Sequence, residues 1–114
     1  MQSQLLKGTR VLFNDVTVAN NFLARLKGLL FKDGLTEQEA LCLTPCNAVH
    51  TLGMRFPIDV AFLNKDNIVT KIVPEIGKRK ATSDRRAHKV IECSAGLLNK
   101  LGVEVGDELS FKNL

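Results

Sequence analysis

At 114 residues, 45% of them hydrophobic and 25% charged, the chain is long enough for one self-supporting core and has the make-up of an ordinary globular domain. No apolar run approaches the ~18 residues that would cross a bilayer, and Met1 to Gly8 holds only two adjacent leucines, too few for a secretory segment. Three cysteines cannot all pair within one chain and suit a reducing compartment, so a single cytoplasmic domain over residues 1–114 is expected, with no membrane role.

Arg10 to Phe13 and Val16 to Val18 are β-rich runs separated by Asn14-Asp15, a pair that tolerates left-handed backbone and suits a two-residue hairpin turn. From Asn20 to Phe31 the apolar residues Phe22, Leu23, Leu26, Leu29 and Leu30 fall at helical spacing, with Asn20 or Asn21 placed to cap. Ala40 to Leu43 reads as a strand that Thr44-Pro45 stops, because proline supplies no backbone donor. Ile58 to Leu63 and Ile68 to Val73, joined by Asn64-Lys65-Asp66-Asn67, form the clearest hairpin, and the first of them is apolar on both faces, as a central strand is. Val90 to Cys93 is another strand, Ala95 to Lys100 a short helix ending at Gly102, and Glu108 to Phe111 a last strand after the Gly106-Asp107 turn. The sum is a mainly β fold, a small β-sandwich or partly closed barrel of about seven short strands with two short helices.

The charge of +4 is concentrated. Between Lys78 and Lys89 six Lys or Arg face the single Asp84, a local net of +5, so the remainder of the chain carries −1. Such a segment suits phosphates or an acidic partner. Nucleic acid held this way would bind weakly and without sequence preference, since Trp and Tyr are absent and stacking platforms are therefore scarce.

Polar chemistry gathers from His50 to Asp59, where an imidazole, the Arg55 guanidinium and a carboxylate precede the apolar strand. Asp59 is expected to pair with Arg55 or Arg25, and Arg25, His50, Arg55 and Asp59 are the candidate ligand-binding residues, because arginine offers a planar fork to carboxylate or phosphate. Other chemistries are less well supported. Cys42, Cys46 and His50 carry zinc-type donors, but four-residue steps along a strand separate them by about 13 Å and no fourth ligand is evident, so neither metal nor cofactor is expected. Cys46 with His50 as base and Asp59 as orienting acid would make a nucleophilic triad, though no glycine-flanked elbow supports it. Glu92 and Asp107 could form a carboxylate pair, but Asp107 suits a local turn and Glu92 a cap for the short helix.

His50-Thr51-x-Gly53-Met54-Arg55-x-Pro57-Ile58-Asp59-Val60, preceded by Arg25-Leu26-Lys27-Gly28-Leu29-Leu30 and followed by Glu92-Cys93-Ser94-Ala95-Gly96 and Gly102-Val103-Glu104-Val105-Gly106-Asp107, resembles the domain of unknown function 192 family of small bacterial and archaeal proteins. The likeness runs from about Thr9 to Phe111 and implies a compact, mainly β domain, without bringing a substrate, cofactor or reaction. The residues themselves point to a small non-catalytic binding or adaptor domain for an anionic molecule or partner. The alternatives are a cryptic Cys/His enzyme and weak nucleic-acid binding through residues 78–89.

Overall fold

The computed structural model describes residues 2–20, 34–51, 56–77 and 80–113. Seven strands form an open sheet: β1 (Gln2–Lys7), β2 (Arg10–Ala19), β3 (Glu39–Leu43), β5 (Ile58–Leu63), β6 (Val69–Ile76), β8 (Lys89–Ser94) and β9 (Ser110–Asn113). Their order is β6-β5-β8-β3-β2-β1-β9. A second sheet pairs β4 (Ala48–His50) with β7 (Ala81–Ser83), and among the described residues one short helix, α1, spans Leu97–Lys100. The mainly β expectation holds; the strands number nine among the described residues, and the large sheet does not close into a barrel. The helix expected over Asn20 to Phe31 falls largely outside the described residues.

Alternation along the central strands decides what lies on each side of this sheet. Val16, Ala40, Cys42, Ala61, Leu63, Ile91 and Cys93 point to one face and share a core with Leu97 and Leu98 of α1, Val103 and Leu109. Ala19, Leu41, Leu43, Ile58, Val60, Phe62 and Val90 point to the other, where Cys46 and Val49 bring the two-stranded sheet down as a second layer. Burial on both faces explains why every residue of β5 is buried, as its continuous apolar run indicates.

Two local expectations are corrected. Asn14-Asp15 is no hairpin turn, since β2 runs unbroken through it; the hairpin is β1 with β2, turned at Gly8 with φ +62°. The Asn14 amide instead donates to Gln38 Oε1 at 2.6 Å, and Asp15 N donates to Gln38 O at 3.0 Å, where β2 meets its parallel neighbour β3. A strand was not expected at 48–50, three residues being too short to show a period. Pro74 sits in β6, an edge strand where a missing backbone donor faces no partner.

Candidate functional site

Asp59 lies on the α1 face, wholly buried. Its Oδ1 accepts hydrogen bonds from Glu75 N at 2.8 Å and Gly96 N at 3.0 Å, and its Oδ2 accepts one from Leu98 N at 3.0 Å. Each donor has a local reason to point there. The pairing of β5 with β6 slips between Ile58 and Val60, and in the resulting bulge Glu75 takes φ +50°, which turns its N–H inward. Gly96 precedes α1 with φ +87° and has no side chain with which to cap it, so Asp59 does from a neighbouring strand what an N-cap residue does locally. Expected as the partner of an arginine, Asp59 has backbone amides as its partners among the described residues; Glu92, expected to cap α1, does not.

The other motif residues separate from Asp59. His50 is exposed on β4 and points away from the sheet, Val49 being the residue that faces in. Thr51 follows, 1% exposed, and works as a clamp. Its N–H donates to Lys80 O at 2.8 Å, its hydroxyl donates to Gly77 O at 2.6 Å, and the same hydroxyl accepts from Lys80 N at 2.8 Å. Thr51 is thereby joined to Gly77 and Lys80 at one edge of the small sheet, where His50 and Lys80 are both exposed. Arg25 and Arg55 lie outside the described residues.

Cys46, His50 and Asp59 do not assemble into a triad. Cys46 is buried, 5% exposed, with its thiol donating to Ala48 O at 3.1 Å; His50 faces outward; Asp59 is on the far side of the large sheet. None of the three cysteines is in a disulfide, and burial pushes the Cys42 thiol up to about 12 and that of Cys93 higher than its ordinary value. Thiols so placed stay protonated and shielded. Alkylation by iodoacetamide at pH 8 is accordingly expected to be slow in the native protein and complete within minutes in denaturant; rapid native labelling of Cys46 would restore it as a nucleophile. Among the described residues no three His, Cys, Asp or Glu side chains gather in a group able to hold a metal ion.

The basic segment is more structured and less available than its composition suggests. Arg86 folds onto Asp84, with Nε 3.0 Å from Oδ1 and Nη2 2.9 Å from Oδ2, and also donates to Thr70 O at 3.1 Å. That contact holds the Asp84 carboxyl down to about 2. Lys89 donates to Asn67 Oδ1 at 2.8 Å and lies 6.0 Å from the Phe111 ring centre. Lys80 and Arg85 remain exposed. With so few unengaged cations among the described residues, duplex or single-stranded DNA is expected to bind only at low ionic strength and equally for any sequence, as fluorescence anisotropy would show. Binding that persists at physiological salt would contradict this. Beside the segment, Pro45, Cys46, Asn47, Ala87 and His88 line a shallow depression of ≈ 260 Å³.

Glu92 is the residue that sequence reasoning undervalued. It does not meet Asp107, which accepts from Lys7 Nζ at 2.8 Å and Glu104 N at 2.8 Å. On β8 it stands directly between Leu41 of β3 and Val60 of β5, on the face carrying Val90, Phe62 and Val49. No side-chain hydrogen bond or ion pair ties it to any described residue, and burial alone pushes its carboxyl up to about 7. The signal available in sequence was a single charge interrupting Val90-Ile91-x-Cys93, the kind of substitution that a two-sided central strand tolerates poorly.

An open β sheet packed on both faces, with α1 against one of them, defines a class of small mainly β domain. The chain belongs to the domain of unknown function 192 family, described as an uncharacterized ACR, whose model matches residues 4–111. It is 31% identical over 105 residues to the UPF0127 protein PF1050 of Pyrococcus furiosus, covering 88% of this chain and 89% of that protein. Two solved structures share the fold with TM-scores of 0.79 at 19% identity, each matching 96% of this chain. One is a protein of unknown function from Novosphingobium aromaticivorans, 84% covered, and the other a candidate transcription regulator from Sinorhizobium meliloti, 92% covered.

Proposed function

We propose that this protein is a small non-catalytic binding domain that receives an anionic molecule at the edge of the β4–β7 sheet. The Thr51 clamp carries the reading: one buried hydroxyl, bonded to both Gly77 O and Lys80 N, holds the His50 and Lys80 positions side by side although thirty residues separate them. An exposed imidazole and an exposed ammonium at one fixed backbone junction offer N–H donors to a carboxylate or phosphate, and Arg55 and Arg25 are the further donors that the sequence offers to it. Asp59 serves the same region indirectly, by fixing the start of β5 against β6 and α1.

Titration with butyrate or inorganic phosphate at low ionic strength, followed by amide NMR shifts, tests this. Saturable shifts centred on His50, Thr51 and Lys80, weakened about threefold to tenfold by Lys80→Gln, are expected. Shifts spread evenly over the surface, or unaffected by the substitution, would count against a site there. Thr51→Val, which keeps the shape and removes the hydroxyl, should weaken binding as well by releasing residues 77–80.

A further inference from the structure

Two hydrogen bonds at the ends of β4 set the direction of its backbone groups. Thr51 N donates to Lys80 O at 2.8 Å and Asp84 N donates to Asn47 O at 2.9 Å, so positions 47, 49 and 51 turn their backbone toward β7, with Val49 opposite Thr82. Ala48 and His50 therefore turn theirs to the outside, because the bonding side alternates along a strand. Among the described residues β4 pairs with β7 alone. On its outer edge the Ala48 carbonyl accepts from the Cys46 thiol at 3.1 Å, which leaves the N–H groups of Ala48 and His50 and the His50 carbonyl open.

The other sheet edges are blunted. β6 carries Lys71, Pro74 and register slips against β5, β9 carries Lys112, and on the outer side of β7 the Ser83 carbonyl is taken by Lys71 Nζ at 3.0 Å. Such devices keep an edge from pairing with another chain. β4 has neither proline, lysine nor bulge, and Ala48 and His50 are exposed. The ≈ 260 Å³ depression begins at Asn47, one residue ahead of β4, so a strand laid along this edge continues over it and can lower a side chain there. Charge around the edge has one sign: residues 44–50 include no acid, and the one acid between 80 and 89, Asp84, is held by Arg86. Lys80 and Arg85 stand exposed, His50 lies on the edge itself and His88 lines the depression.

We propose that the outer edge of β4 receives an extended acidic peptide segment of a partner protein as an added strand. This rests on the anion-binding reading above, whose anion it names as the carboxylates of that segment. In such an arrangement main-chain hydrogen bonds supply affinity, and alternate side chains, one set toward the basic groups and one over the depression, supply selectivity. Three open backbone groups and screened surface charges make the binding modest in strength and sensitive to salt. The recognition is non-covalent throughout.

The test uses the full chain at low ionic strength with four probes: the blocked peptide acetyl-Glu-Val-Glu-Val-Glu-amide, its counterpart with glutamine for each glutamate, the acidic peptide N-methylated at every residue, and butyrate. The acidic peptide is expected to bind at least about tenfold more tightly than butyrate and to slow hydrogen exchange at the Ala48 and His50 amides. Methylation, which keeps the charge and removes the strand's donors, is expected to cost at least about tenfold. Glutamine replacement, or Ala48→Glu at this exposed position, is expected to cost about threefold to tenfold, since the first removes the attraction and the second adds a repelling carboxylate. Equal binding of the methylated or the glutamine peptide, unaltered exchange at Ala48 and His50, or no saturable binding of the acidic peptide would overturn the proposal. Butyrate shifts at His50 and Lys80 without peptide binding would leave the anion reading standing and remove the added strand. Peptide binding with slowed exchange at Ala48 and His50, but no butyrate response, would keep the added strand and remove the small-anion site.

Discussion

Glu92→Gln is expected to make the protein more stable at pH 8 and to leave it unchanged at pH 4. The glutamine keeps the shape of the side chain and removes the charge. Because the folded protein holds the Glu92 proton to about 7, against 4.5 for the ordinary carboxyl, the fold binds that proton more tightly than the unfolded chain between those values. Stability contributed by the protonated form is therefore complete below pH 4.5 and is lost as pH rises through 7. The displacement corresponds to roughly 3 kcal/mol at full ionisation, an upper bound because the residue retains some exposure. Urea unfolding of both proteins from pH 4 to 8 reads the difference directly: the two stability curves should diverge over this window. Parallel curves would show that Glu92 is not an uncompensated charge. Asp84 and Asp107, held low by Arg86 and Lys7, lose their contributions only as pH falls below the carboxylate range and leave this window undisturbed.

Asp59→Ala should destabilise the protein by about 3–5 kcal/mol, since three N–H groups that converge on a wholly buried carboxylate lose their acceptor at once. Asp59→Asn keeps one acceptor oxygen and places an amide NH₂ against a converging donor, so a somewhat smaller loss follows. Native-state hydrogen exchange offers the sharper readout, because the amides of Glu75, Gly96 and Leu98 should lose protection beyond the global change. A loss of stability under ~0.5 kcal/mol, with those amides still protected, would mean that the α1 start and the β6 bulge hold themselves.

The interiors of the central strands were legible in the sequence, whereas β1, β4 and β7 and the side-chain partnerships were not. The β5–β6 hairpin, the strands at Ala40 and Val90 and the helix before Gly102 follow from local pattern and turn residues, which act over a few positions. The β1–β2 hairpin was misplaced because Asn14-Asp15 carries a stronger turn signature than Gly8-Thr9, and only the pairing with β3 shows that Asn14 and Asp15 are spent on Gln38. Asp59 was expected to pair with an arginine, yet its partners among the described residues are backbone amides, which have no letter in a sequence. His50 was named as a candidate site residue, whereas Thr51 beside it was given no role, since a hydroxyl that bonds residues twenty-six and twenty-nine positions away has no local signature. Glu92 was weighed as half of a carboxylate pair and as a cap for the short helix; that it faces Leu41 and Val60 with no side-chain partner among the described residues is visible only once the strand order is known.

The order of strands also bears on how fast the chain can reach this structure. β9 hydrogen-bonds to β1, so that Ser3 lies opposite Asn113, and β2 joins β3 only through a parallel crossover. Pairings between such distant positions require large loops to close before any contact rewards them, and local helical contacts do little to compensate. Folding on the scale of milliseconds to seconds is expected on this account. The edge formed by β1 and β9 is then the part of the sheet that closes late, while the β5–β6 hairpin, whose strands are joined by a turn at Asn64–Asn67, is the natural place for ordering to begin.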